Sequence, residues 1–257
     1  MNQTERRLYL IKSLISEQRK YNGAEIPSDP QRQKDLLRSL MNVRMPAPIT
    51  EEYAEIEGQY LKEEIRRKGV TRLSDLKPIC GNIYLWQGDI TTLECDAIVN
   101  AANSQMLGCF APLHNCIDNC IHTFAGLRLR NFCGEVMARQ GHDEPTGKAK
   151  ITPAFNLPSK YVIHTVGPIV GGSLLQDHRD LLASCYLSCL KLAHENDCGS
   201  IAFCCISTGV FGFPKREAAQ TAVKTVKDYL ADTGSGIKVV FNVFNDDDLA
   251  IYREILS

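Results

Sequence analysis

A chain of 257 residues, 44% hydrophobic and 23% charged, has room for one large domain or for a core domain with an extension. A net charge of -1 offers no basic field for nucleic acid, and no apolar run approaches the roughly 18 to 20 residues that span a bilayer. Eleven cysteines, an odd number, sit in apolar runs such as Phe203-Cys204-Cys205-Ile206, which reads as reduced thiols in a cytoplasmic protein and not as a secreted disulfide framework.

Residues 1 to about 76 read as a helical extension packed on the main domain. Leu8, Ile11 and Ile15 recur at helical spacing, and Leu10 with Leu14 widens the apolar face. Pro27-Ser28-Asp29-Pro30 stops one element and starts the next, with Ser28 or Asp29 as the cap. Leu36, Leu37, Leu40 and Met41 form the stripe of a second helix, which Pro46 and Pro48 end. A third helix starts after Thr50 and turns Tyr53, Ile56, Tyr60 and Leu61 inward. No chemical motif falls in this part.

From residue 77 to the end, the pattern changes to short apolar runs alternating with helical segments. Ile83–Trp86, Asp96–Val99, Tyr161–His164, Ile201–Cys204 and Val239–Val243 have strand length and character. Helices are expected over about 116–140, 176–196, 214–231 and 246–256, the last opened by Asp246, Asp247 and Asp248. Apolar strands with helical crossovers imply a largely parallel sheet covered on both faces, which binds ligands at the carboxyl ends of its strands.

The polar residues of interest all follow strands. Asp89, in Gly88-Asp89-Ile90, can accept a hydrogen bond from an exocyclic amine such as adenine's, or can merely cap a turn. Asn100 and Asn103 both donate and accept, which suits a sugar hydroxyl and suits an ordinary turn equally. Ser207-Thr208-Gly209-Val210-Phe211-Gly212 leads into a helix near Pro214; its glycines allow close backbone approach, and amides at a helix entry favour phosphate. It is no dinucleotide fingerprint or P-loop. His164, in His164-Thr-Val-Gly-Pro168, reads as a packed core histidine, and Pro145-Thr-Gly147-Lys-Ala149 as turn chemistry.

Between Asn103 and the next helix lie Cys109, His114 and Cys116. Two thiols and one imidazole are the ligand set that zinc prefers, and three protein ligands leave a position open, as catalytic zinc sites do. Cys120 is the main rival ligand, while Cys133 is read as core. Asp118 can position a water, act as general base or orient His114.

In combination these residues resemble a known family. Gly88-Asp89-Ile90, Asp96-Ala-Ile-Val-Asn100-Ala-Ala-Asn103, Gly147-x-Ala149, His164–Pro168 and Ile206–Gly212 occur in the order of an ADP-ribose-hydrolysing macrodomain, over roughly residues 80 to 257. The glycine-rich run that follows the second asparagine in the usual hydrolases is replaced here by the Cys109–His122 stretch, which looks like the zinc-dependent microbial macrodomains. The resemblance implies a three-layer α/β sandwich with a mixed, largely parallel sheet, and a monomer with Zn2+ as cofactor. It implies that Asp89 and the Ile90 amide hold adenine, that Ser207, Thr208, Gly209, Val210 and Phe211 cradle the phosphates, and that Asn103 holds the distal ribose. Cys109, His114 and Cys116 would ligate zinc, and Asn103 with Asp118 would act in catalysis. The implied activity removes mono-ADP-ribose from a modified protein, as an ester to Asp or Glu; a lipoyl-carrying protein is one implied partner, opposite a sirtuin-like transferase. The competing readings are a non-catalytic ADP-ribose reader with a structural zinc, and a deacylase of O-acyl-ADP-ribose.

Overall fold

The computed structural model describes residues 1–21 and 23–257. Three helices open the chain: α1 (Gln3–Ser16), α2 (Pro30–Val43) and α3 (Glu51–Lys68). Their starts follow from local chemistry. The Asp29 side chain accepts from the Arg32 amide with Pro30 in the first turn, and Thr50 accepts from the Tyr53 amide. The buried face of α1 centres on Leu10, Ile11 and Leu14, while Leu8 and Ile15 sit at its margin, so the apolar stripe is rotated from the expected one. Leu37, Leu40, Met41, Tyr53, Ile56, Tyr60 and Leu61 complete this layer's apolar cluster, which also takes in Leu127.

Short strands β1 (Thr71–Arg72) and β2 (Pro78–Cys80) lead to β3 (Ile83–Gln87), then β4 (Leu93–Glu94) and β5 (Ala97–Ala102). Next come α4 (Ile117–Ala125), α5 (Leu127–Gln140), β6 (Ala149–Pro153), β7 (Tyr161–Val166) and α6 (Gln176–Glu195). The chain closes with β8 (Ser200–Phe203), α7 (Lys215–Thr233), β9 (Lys238–Val243) and α8 (Asp246–Leu256). Seven strands form one sheet in the order β2-β3-β9-β8-β5-β7-β6. The five central strands are parallel, and β2 and β6 run antiparallel at the edges. This is the mixed, largely parallel α/β sheet expected. Buried on both faces, β5, β8 and β9 carry near-continuous apolar sequence.

Two expectations need correction. The helical stretch around 116–140 is two helices, because Gly126 adopts φ +89 between them. A Cβ there would lie 2.4 Å from Glu57 Oε2, so close approach as well as backbone conformation demands glycine. The segment read as turn chemistry after Pro145 continues into edge strand β6. Its half-exposed Lys150 and its pairing to β7 alone leave it without an apolar run to announce it.

Candidate active site

The carboxyl ends of β3, β5, β7, β8 and β9 gather the loops singled out above. Asp89 follows β3 and caps a short turn, accepting from the Thr91 amide (3.0 Å) and hydroxyl (2.6 Å). Its outer oxygen meets Lys68 Nζ at 2.9 Å, at the end of α3. Burial alone would raise Asp89, but Lys68 and Thr91 hold it below the ordinary carboxylate value, so it is an acceptor at neutral pH.

Asn100 lies in β5 opposite His164 of β7 and is fully buried. Its amide nitrogen donates to Asp118 Oδ1 (2.8 Å) and meets His164 Nδ1 at 3.1 Å. Because an amide N–H only donates, His164 is the neutral tautomer with its proton on Nε2, 3.0 Å from the Thr152 hydroxyl. Burial pushes His164 down to about 3. It is thus a core histidine that also orients Asn100. His122, His164 and Cys133 form a second, fully buried group whose ligand atoms lie within 4.8 Å of one another; the Thr152 hydroxyl and Cys133 Sγ stand 3.0 and 3.9 Å from His164 Nε2, while neither ring nitrogen of His122 has a hydrogen-bond partner among the described residues.

Asn103 is saturated by its own loop. Its oxygen accepts from the amides of Gln105 and Met106 (both 3.1 Å), and its nitrogen donates to Gly108 O (3.1 Å) and Asp118 Oδ2 (3.3 Å). Asp118 therefore receives both asparagines, and His122 Nε2 stands 3.6 Å from its Oδ1, one turn along α4. Burial raises Asp118 to about 6, with Asn100 and then Arg130 opposing the rise. No hydrogen bond joins Asp118 to His114, so an orienting role toward that imidazole has no contact to carry it.

The loop after Asn103 brings Cys109, His114 and Cys116 together: their ligand atoms lie within 4.8 Å of one another, with Cys109 Sγ 3.6 Å from His114 Nδ1. Among the described residues no fourth ligand joins them, and His114 is exposed. Cys120 faces Arg38 instead, 3.8 Å from its guanidinium. The donor set fits zinc: two half-buried thiols and an accessible imidazole at the mouth of the strand-end site. Burial pushes the Cys116 thiol up to about 12, the direction a bound cation would reverse.

After β8, Ser207 has φ +65 and turns the chain so that Gly209, Val210 and Phe211 project. Their amides donate to no other backbone group among the described residues, while Phe211 O accepts from Val170 N (2.8 Å), tying this loop to the one after β7. Exposed apolar side chains ring the same end: Val210 is 85% exposed and Phe244, directly after β9, 78%. Such surface beside unspent amides and a carboxylate is what a nucleotide needs.

Comparison with known proteins agrees with this geometry. Residues 99–222 match the Macro domain family model. The chain is 58% identical, over its full length and that of the relative, to a protein-ADP-ribose hydrolase of Treponema medium. It is 52% identical to a protein-ADP-ribose hydrolase of Staphylococcus aureus (strain MSSA476), covering 97% of this chain and 94% of that one.

The chain belongs to the macro domain family.

With relatives of that kind matched end to end, this macro domain protein is an enzyme, a hydrolase. Its fold is similar to that of a Trypanosoma brucei macrodomain solved with ADP-ribose, at a TM-score of 0.66 and 28% identity over 90% of this chain and 97% of that one. The macro domain reading from sequence did not foresee three participants. Arg130, on α5, donates to the carbonyls of Leu107, Met41, Asn42 and Arg44 and lies over the Phe110 ring. Lys68 pairs with Asp89 from outside the resemblance, and the exposed Phe244 follows Val243, whose carbonyl accepts from the Gly88 amide beside Asp89. An aromatic just past the last apolar strand was the available signal for Phe244; the two cations had none, since their partners are distant in sequence.

Proposed function

We propose that the protein is a zinc-dependent protein-ADP-ribose hydrolase that releases mono-ADP-ribose from an ester to Asp or Glu. The observation that carries this reading is the pair of features at one strand-end mouth: the accessible Cys109–His114–Cys116 triad and the buried carboxylate of Asp118 behind it. Both relatives reported above are named protein-ADP-ribose hydrolase.

In this reading Asp89 accepts the adenine amino group and the Ile90 amide lies beside the ring. The loop from Ser207 to Phe211 offers the unspent amides of Gly209, Val210 and Phe211 to the two phosphates, while the Thr208 amide is bonded to Cys205 O. A hydroxyl of the distal ribose displaces the longest bond of Asn103, the 3.3 Å contact to Asp118 Oδ2. Cys109, His114 and Cys116 hold the metal; when bound, zinc supplies Lewis acidity toward a ribose hydroxyl or the scissile ester, tempered by two thiolates that cancel its charge. Asp118, ionised and released by Asn103, takes a proton from the attacking water, and Asn100 keeps its other oxygen in place. The water oxygen bonds to a carbon of the ester linkage, either the anomeric or the acyl one, as that carbon's bond to the bridging oxygen breaks, and the proton held on Asp118 passes to the departing oxygen, giving ADP-ribose and the free carboxylic acid.

The test is ADP-ribose release from proteins mono-ADP-ribosylated on acidic residues, a lipoyl-carrying protein among them, before and after chelation and with zinc restored. Release that chelation abolishes and zinc recovers supports the reading. Release that chelation leaves intact would remove zinc from it. A metal-loaded protein that cleaves only O-acyl-ADP-ribose would replace the protein substrate with the small one.

A further inference from the structure

The loop that carries Cys109, His114 and Cys116 has no regular secondary structure, and two of its residues, Gly108 (φ +83) and Leu113 (φ +58), occupy the left-handed region. A leucine held there is strained, since its Cβ crowds the following carbonyl. Something outside the loop must keep it in shape. That something is α2, an element with no chemical motif of its own.

We propose that Arg38 and Asn42 of α2 are positioning residues that shape this loop for its metal, an inference that rests on the zinc reading above. Asn42 is 1% exposed; its oxygen accepts from the strained Leu113 amide (3.1 Å) and its nitrogen donates to Thr123 Oγ1 (3.0 Å). Arg38 spans the next peptide. One nitrogen donates to His114 O (2.7 Å) and Asn119 Oδ1 (3.0 Å), the other to Asn115 Oδ1 (3.3 Å). The backbone on both sides of the imidazole is thus gripped from α2. Asn119, fully buried and oriented by Arg38, relays the same grip: its side chain donates to Cys109 O (3.2 Å) and Ala111 O (3.0 Å), and its amide meets Cys116 Sγ at 3.4 Å. All three ligands are therefore referred to one helix of the extension. A guanidinium fork holds these acceptors on two nitrogens in one fixed plane, which the single, freely rotating ammonium of a lysine cannot do.

Such a brace acts through preorganisation: fixing the peptide groups before the ion arrives lowers the ordering cost of binding. The measurement is zinc affinity of the full chain, by competition with a chromogenic chelator, for wild type, Arg38→Ala, Asn42→Ala and Cys109→Ser. The expected result is a 10–100-fold weaker affinity for each alanine variant, the range for groups that orient metal ligands, and no zinc bound by Cys109→Ser. The rise in Tm on zinc loading, compared within each variant, isolates the effect, because a merely destabilising change lowers both forms and leaves the rise intact. Arg38→Lys, which keeps the charge but loses the fork, is expected to fall between wild type and Arg38→Ala, and it serves in place of Arg38→Ala should that variant not fold, as Asn42→Asp, which keeps the acceptor for Leu113, serves for Asn42→Ala. Wild-type affinity and an undiminished Tm rise in the substituted proteins overturn the positioning role while leaving the zinc reading standing. A wild-type chain that binds no zinc overturns both.

Discussion

Asp118 collects the buried polar groups of the site, accepting from Asn100 and Asn103 and facing His122. Replacing it with alanine leaves one N–H of each asparagine without its acceptor but removes no hydrogen bond to a ligand of the Cys109–His114–Cys116 triad. Asp118→Ala is therefore expected to lower kcat/KM for hydrolysis by about 10²–10⁴-fold, the range for a positioned acid or base, with zinc content unchanged by elemental analysis. Loss of zinc along with turnover would instead make Asp118 a support for the loop. Phe244 poses a separable question at the other end of the site, since it is exposed and directly follows Val243, whose carbonyl accepts from Gly88, the residue before Asp89. Phe244→Ala is expected to weaken ADP-ribose binding by roughly tenfold or more in calorimetry, as stacked bases lose about 1–3 kcal/mol on removal of their aromatic partner. Unaltered affinity would place adenine elsewhere. Asp89 and the Ser207–Phe211 loop were legible in the sequence because each comes just after an apolar strand; Asn100, expected just past one, lies within β5, because the pairing with β7 continues to Ala102. The saturation of Asn103 was not legible, for it depends on which carbonyl and carboxylate the folded loop presents.

At the scale of elements, the joint between α3 and α5 carries its own pH signature. Glu57 of α3 is completely buried and its two oxygens accept from the Leu127 amide, at the N-terminus of α5. Burial raises its carboxyl to about 7, against which Leu127, Arg128 and Arg44 pull downward. A glutamate in the unfolded chain titrates near 4.5. The folded state thus favours the protonated form: this contribution to stability is full below about 4.5 and is lost as pH rises through 7. Relative to Glu57→Gln, wild type is expected to lose Tm steadily between pH 4.5 and 7.5; parallel melting curves across that window would show that Glu57 titrates normally. Sequence periodicity exposed α3 itself but not this joint, because Gly126 and Glu57 meet only when the extension docks.

The described residues form two apolar clusters, one in the α1–α3 layer and one around the sheet. They are bound by buried polar contacts, with Arg130 reaching three carbonyls around the end of α2 and Leu127 lying inside the helical cluster. Breaking the layer away would strip a buried guanidinium of its acceptors, which makes independent unfolding costly. Calorimetry is expected to show a single transition. Leu37→Ala, deep in the layer, should lower the stability of that whole transition by about 2–5 kcal/mol. Two resolved peaks, with only one moved by the substitution, would show the layer to be a separable unit.

Alternation of apolar runs with amphipathic segments by itself determined the parallel core, the helical extension and the strand-end position of the polar residues, because burial on two faces leaves a mark at every position of a strand. The spacing of Cys109, His114 and Cys116 likewise marked a candidate metal set, since ligand type is chemistry carried by single residues. Only the tertiary structure decided that these three converge, that Cys120 faces Arg38 instead, and that α2 grips the loop. Those outcomes hang on hydrogen bonds between residues some 80 positions apart, such as Arg38 to Asn119, and such pairings leave no local periodicity to read.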